Sequence, residues 1–193
     1  TGMDVSNASH YDGATAAAEA ANLAYHNFRG KRKKVIVSRS VNPQYRETIR
    51  TYMNGLENVQ VIGDDIDHIG NIDDFISLID RDTSVVIVQY PDFFGRIIDY
   101  TNLVEKAHEF GALVTFVFNP TALGLLKPPG EFDADIAVGD GQPLGIPLAF
   151  GGPYLGIFTI KDRYVRKMAG RLVGETVDTN GTRAYVLTLT ARE

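Results

Sequence analysis

The sequence predicts a three-layer α/β fold, a mostly parallel sheet with helices flanking it on both faces. Three observations predict it. Short runs rich in β-branched residues, Val35-Ile36-Val37, Val59-Gln60-Val61-Ile62, Val85-Val86-Ile87-Val88 and Leu113-Val114-Thr115-Phe116-Val117, have the continuous apolar character of strands buried on both sides. Capped segments with helical periodicity separate these runs. Repetition of strand, helix, strand implies right-handed crossovers, and those join parallel neighbours.

The elements follow in order. Asp12 stands at the N-cap of an alanine-rich helix from Ala16 to Leu23, entered through Gly13-Ala14-Thr15. A strand is expected near 34–38. Asn42 before Pro43 opens the next helix, Tyr45, Ile49, Tyr52, Met53 and Leu56 give it an apolar face, and Gly55 offers a stop. A strand near 59–62 precedes a less regular helical stretch from Asn71 to Ile79. After a strand near 85–89, the segment Asp99 to Phe110 presents Leu103, Val104 and Ala107 on one face, with Gly111 beyond its end. Strands near 112–118, 135–138 and 155–160 complete one expected sheet. From about Asn119 the texture changes, because prolines and glycines crowd the chain from Pro120 to Gly156 and loops dominate. Loops at the ends of parallel strands are where α/β proteins place their sites, so this stretch draws the functional weight.

Composition narrows the classes of function. The 193 residues carry 19 Lys+Arg against 24 Asp+Glu, a formal charge of −5, which gives no broad basic surface for nucleic acid. There is no cysteine, so disulfides, thiolate nucleophiles and Cys-ligated zinc are excluded. Apolar runs such as Ala112 to Phe118 fall far short of the ~20 residues that cross a bilayer, and no basic-then-apolar leader opens the chain. A cytoplasmic protein without membrane or nucleic-acid partners is the expectation. The opening Thr1-Gly2-Met3-Asp4-Val5 and the strand-like close from Leu187 both look cut, so a fragment of a longer chain is expected.

Residue types alone offer little chemistry. Gly13-Ala14-Thr15 at a helix start can cradle a phosphate, but Asp12 at the N-cap would satisfy the same donors and repel an anion. Asp64, Asp65, Asp67 and His68 follow a strand and hold donors suited to a metal, although acidic strand ends are common without one; no metal site is expected. His10, His26 and His108 stand alone, without paired-histidine spacing or a Gly-x-Ser-x-Gly elbow. Lys161, Arg163, Arg166, Lys167 and Arg171 form a basic cluster that suits an acidic partner or, more blandly, a solvated helix face. No Gly-x-Gly-x-x-Gly follows the first strand, which leaves a nucleotide-binding module only the sheet pattern in its favour.

Several longer stretches carry a resemblance. Asp12-Gly-Ala-Thr-Ala-Ala-Ala-Glu-Ala20, Val88-Gln-Tyr-Pro-Asp-Phe-Phe-Gly95, Gly124-Leu-Leu-Lys-Pro-Pro-Gly130, Gly139-Asp-Gly-Gln-Pro-Leu-Gly-Ile-Pro147, Gly151-Gly-Pro-Tyr-Leu-Gly156 and Gly174-Glu-Thr-Val-Asp178 resemble the glycine decarboxylases, the P proteins of the glycine cleavage system. The likeness spans essentially the whole chain and is to the N-terminal half, called subunit 1 or alpha where the protein is split. Ala169 in Met168-Ala-Gly-Arg171 stands where the family usually has proline. Family chains of that half are more than twice this length, so residues 1–193 would be a single large-domain fragment of a fold type I pyridoxal-phosphate enzyme. An N-terminal segment and a small C-terminal domain would be absent. The resemblance also implies one antiparallel strand in the sheet, at 155–160.

The implied activity is glycine dehydrogenase (decarboxylating), an oxidoreductase of glycine catabolism, in which pyridoxal phosphate acts as electron sink and the aminomethyl group passes to the lipoyl arm of H protein. The catalytic half must supply a Schiff-base lysine and an acid at the pyridine nitrogen. By resemblance, Gln142 falls on the lysine position and Asn119 on that of the acid. An amide cannot form a Schiff base, and asparagine cannot hold a pyridinium proton as a carboxylate does. The expected role is therefore a pseudo-catalytic half with no catalytic or cofactor-binding residues of its own. It would pair with the lysine-bearing half, which binds the cofactor, and wall that pocket with Gly139, Gly141, Gln142, Gly151, Gly152 and Tyr154. The alternatives are a self-contained enzyme using Lys127 or Lys161, and the nucleotide-binding module.

Overall fold

The first helix begins where its sequence says it should, because Asp12 is extended and its Oδ1 accepts the Thr15 amide at 2.7 Å, the geometry of an N-cap. That helix, α1 (Gly13–Asn27), follows a two-residue strand β1 (Val5–Ser6) that the hydrophobic pattern is too short to reveal. The computed structural model describes residues 1–65, 72–152 and 154–189. The order continues β2 (Lys34–Val37), α2 (Pro43–Met53), β3 (Gln60–Ile62), α3 (Ile72–Ile76), β4 (Thr83–Tyr90), α4 (Thr101–Glu109), β5 (Leu113–Phe118), β6 (Ile136–Asp140), β7 (Gly156–Ile160), β8 (Leu172–Val177) and β9 (Arg183–Thr188). Asn42 caps α2 through the Gln44 amide, with Pro43 in the first turn.

Seven strands form one sheet in the order β1-β7-β6-β5-β4-β2-β3. Pairings among β2 to β6 are parallel, while β7 runs antiparallel to β6, as expected for 155–160, and β1 antiparallel to β7. Alternation along each strand sorts side chains into two cores. Val35, Val37, Val85, Ile87, Val117 and Phe158 pack with the alanines of α1 and with Ile49 and Met53 of α2. Ile36, Val86, Val88, Phe116, Phe75 and Leu103 form the other core, under α3 and α4. The alanines are small for a reason: Ala16, Ala17, Ala20, Ala21 and Ala24 are fully buried, which lets α1 lie close to the sheet and to α2.

One expectation needs correction. The second strand pair, β8 and β9, is a separate two-stranded antiparallel sheet, so the chain does not form a single sheet. The six expected strands do share one sheet, and the hairpin is additional. Its local cause is visible: Asp178 Oδ1 accepts the amides of Asn180 and Thr182 and closes the turn, and Gly181 has φ +78°. The hairpin buries little, since Val173, Val177, Tyr185, Val186 and Leu187 are all exposed.

Two further readings change. The segment after Lys161 is a 3-10 turn, Asp162–Lys167, where a helix was expected. The basic cluster is not simply a solvated face, because Lys161 and Arg163 pair with Asp135, and Lys161 also with Asp133. Asp64 is likewise engaged, by Arg46 and Arg50 of α2, and burial, which would raise its pKa, is outweighed by those two guanidinium groups. Asp67, His68, Asn71 and Pro153 lie outside the described residues.

Candidate functional site at the carboxyl edge of the parallel strands

In the order β3-β2-β4-β5-β6 the chain moves outward from β2 in one direction and from β4 in the other, and a crevice opens beyond the carboxyl ends of strands at such a divergence. A small cavity of about 130 Å³ lies there, lined by Asn42, Tyr45, Gln89, Asn119, Asp140 and Pro143 among others. The residues come from the ends of three parallel strands, β4, β5 and β6, and from the start of α2. The register Phe118↔Gly139 sets Asn119 and Asp140 side by side as β5 and β6 end.

Asn119, Gln142 and Asp140 at this edge are each engaged within the chain. Asn119 is exposed, and its Oδ1 accepts the Thr121 amide at 3.0 Å and hydroxyl at 2.7 Å, a local turn. Gln142 donates from Nε2 to the Ile146 carbonyl at 2.8 Å, so its side chain folds onto its own turn. Asp140 is the residue that sequence reasoning missed. Its Oδ2 accepts the Gly13 amide at 3.2 Å and its Oδ1 the Gln142 amide at 2.8 Å, which ties the start of α1 to the loop after β6. Tyr45 stands over this junction, its hydroxyl pKa pushed up to about 12 by burial and then by the charges of Asp140 and Asp12. A carboxylate in Gly139-Asp-Gly141, at the end of a strand beside a capped helix, is the signal that could have pointed to it.

The expected pocket-wall residues divide. Gly139 and Gly141 are buried and needed locally: a Cβ on Gly139 would sit 2.5 Å from the Phe118 carbonyl oxygen, and one on Gly141 2.8 Å from Leu155 Cδ2. Gly151, with φ +93°, and Tyr154 are exposed, while Gly152 packs against Ala149. Among the described residues, the cavity wall does not include Gln142, Gly151, Gly152 or Tyr154. A larger cleft, about 580 Å³, lies beside Ser9, His10, Tyr11, Glu19, Tyr52 and Arg171. Size does not decide here, because no residue of the parallel strands lines that cleft, whereas the ends of those strands are where this architecture places its chemistry.

The lysines of the self-contained alternative lie elsewhere. Because β7 is antiparallel, Lys161 emerges beside the start of β6, at the opposite edge from Asn119 and Asp140. Its Nζ is 2.6 Å from Asp133 Oδ1. Lys127 lies with Nζ 4.0 Å from the centroid of the Phe132 ring.

Sequence comparison decides the family. The description "Glycine cleavage system P-protein" matches residues 1–193. The chain belongs to the glycine cleavage system P-protein family. Two relatives named probable glycine dehydrogenase (decarboxylating) subunit 1 align with all of this P-protein chain: one from Desulforamulus reducens, 50% identical, and one from Bacillus subtilis, 48% identical. The chain spans 43% of the length of each of these relatives. A crystal structure of glycine decarboxylase (P-protein) in inhibitor-bound form superimposes with a TM-score of 0.85 at 40% identity, covering 97% of this chain and 42% of that one. A cysteine desulfurase from Escherichia coli matches at TM-score 0.64 and 16% identity, covering 92% and 44%, a likeness of fold alone. The fold of this P-protein chain is that of the fold type I pyridoxal-phosphate enzymes.

Pyridoxal phosphate does not fit the residues present. The Gly13 and Thr15 amides at the start of α1 are taken by carboxylates, Asn119 is neutral and turned onto Thr121, and Gln142 offers an amide. Among the described residues no helix is long and apolar enough to cross a membrane.

Proposed function

We propose that residues 1–193 are the large domain of subunit 1 of a glycine decarboxylase, a half that carries no cofactor of its own and assembles with the lysine-bearing half. The joint enzyme decarboxylates glycine on the pyridoxal phosphate of that partner half and passes the aminomethyl group to the lipoyl arm of H protein in the cytoplasm. The observation that carries this reading is chemical. At the edge where the fold places its cofactor, the chain offers Gln142, Asn119 and two carboxylates, Asp12 and Asp140. Gln142 cannot form an imine, Asn119 cannot hold a pyridinium proton as a carboxylate would, and Asp12 and Asp140 repel a phosphate.

The partner reading is supported by what surrounds that edge. Phe93 and Phe94 after β4, Leu125 after β5, and Leu144, Leu148 and Phe150 after β6 are large apolar side chains left exposed. Exposed apolar groups gathered around one strand edge are the mark of an interaction surface. The loop from Gly139 to Gly156 belongs to this surface and walls the partner's pocket.

Borohydride reduction tests the assignment. The two-subunit enzyme is loaded with pyridoxal phosphate, reduced and digested. A pyridoxyl group is expected on a lysine of the partner half and on no peptide of this chain. Recovery of the label on Lys127, Lys161 or any other lysine here would make this chain a cofactor-bearing half.

A further inference from the structure

We infer that Asp140 is the residue that excludes a phosphate-bearing cofactor from this half, because its carboxylate occupies from within the chain the place an anion would take at the start of α1. The inference rests on the cofactor-free reading above and names the group that enforces it.

A 15-residue helix presents unpaired N–H donors and the positive end of its dipole at its first turn, and anions bind there when the space is open. Here the space is filled from two sides. Asp12 is an ordinary N-cap from the helix's own sequence and takes the Thr15 amide and, at 2.9 Å, the Thr15 hydroxyl. Asp140 arrives from 127 residues away, at the end of β6, and takes the Gly13 amide. Its second oxygen holds the Gln142 amide. The carboxylate thus bridges the helix start and the loop after β6, two elements that a bound phosphate would have to hold apart.

Packing around Gly13 shows how closely the backbone at Asp140 approaches the start of α1. A Cβ built there would lie 2.3 Å from Tyr45 Oη and 2.9 Å from the Asp140 backbone nitrogen. There is no room even for a methyl group between α1, α2 and β6. The adjoining cavity of about 130 Å³ is smaller than the roughly 300 Å³ at which small-molecule sites begin. Shape and charge therefore act together: Asp140 draws the elements closed and places a negative charge where a phosphate would need positive surroundings.

The test uses the full-length subunit labelled with ¹⁵N-glycine, with inorganic phosphate as probe and the Gly13 amide signal as readout. In the unaltered protein that signal should not move with phosphate. In Asp140→Gly it should shift saturably, with phosphate bound at least ~10-fold more tightly than by the unaltered protein. Asp140→Asn keeps the shape and removes the charge, and a smaller gain is expected. If Asp140→Gly is folded and its Gly13 amide ignores phosphate, or if the unaltered protein already responds, the inference is overturned. If Asp140→Gly does not fold, Asp140→Asn decides, and an unresponsive Gly13 amide there overturns it equally. The cofactor-free reading fails on a different result, a pyridoxyl group trapped on this chain, so the two failures are distinguishable.

Discussion

His108 Nε2 lies 2.8 Å from Asp135 Oδ2, and through this contact α4 is tied to the residue just before β6. Asp135 is fully buried and also accepts the Val114 amide at 2.9 Å and the Tyr164 hydroxyl at 3.3 Å, with Lys161 3.4 Å away. Burial by itself would raise its pKa. The His108 and Val114 hydrogen bonds and the charge of Lys161 outweigh burial and hold it at about 2.

That depressed value fixes the sign of an acid dependence. A carboxyl whose folded pKa is below its unfolded value of 3.8 adds stability above about pH 4, and the contribution is lost as pH falls towards 2. The expected loss over that window is about 2 kcal/mol. Urea unfolding at a series of pH values should show it. Asp135→Asn should destabilise the fold at neutral pH by about 2 kcal/mol, because the neutral amide no longer answers the charges of Lys161 and Arg163 and cannot accept at both of its polar atoms, and should flatten the acid limb. An unchanged acid limb in that variant would assign the acid sensitivity to another carboxylate.

Gly139→Ala should be costly before any partner is involved. The new methyl would meet the Phe118 carbonyl, backbone that can yield only by parting β5 from β6. A loss of about 3 kcal/mol is expected by denaturant unfolding, at the upper end of overpacking penalties. A near-neutral effect would mean the glycine is there for the partner surface alone.

Asp12 separates capping from charge. Asp12→Ala should cost about 1 kcal/mol through loss of the cap on Thr15, whereas Asp12→Asn, also a good N-cap, should stay close to the parent in thermal unfolding. Equal losses in both variants would show that the charge, and not the hydrogen bond, stabilises α1.

Gln142→Lys alone should yield no glycine decarboxylation by subunit 1 without its partner, measured as labelled CO2 from carboxyl-labelled glycine, because Asn119, Asp12 and Asp140 still oppose the cofactor. Measurable turnover by that single variant would show that the lysine was the one missing element.

In the two-subunit enzyme, Gln142→Ala and Tyr154→Ala should lower turnover several-fold while assembly and unfolding midpoint stay close to the parent. Gln142→Ala removes only the bond to the Ile146 carbonyl that shapes the loop, and Tyr154 is exposed. Loss of activity only through dissociation, or no loss in either variant, would make the loop a scaffold.

Periodicity along the chain carried most of the architecture. The β-branched runs at Val35, Val85 and Leu113 could be buried on both faces only as central strands, and Asn42-Pro43 and Asp12-Gly13 could be read as helix starts because capping acts within three residues. The resemblance added the antiparallel turn of β7, which periodicity alone does not give. Where local signals were thin the reading fell short: β1 has two residues, and the β8–β9 pair has alternation but little burial, so nothing in its sequence said whether it would join the main sheet.

The amino-acid sequence by itself determined the strand and helix order and the absence of a lysine at position 142, because both are written in residue identity and short-range pattern. The tertiary structure alone decided that Asp140 reaches Gly13, that Asp135 gathers His108, Lys161 and Arg163, and that Gly139 is held against Phe118. Those relationships join residues far apart in the chain. They exist only once the register of β5 against β6, and the packing of α1 against them, have brought the ends of separate elements together.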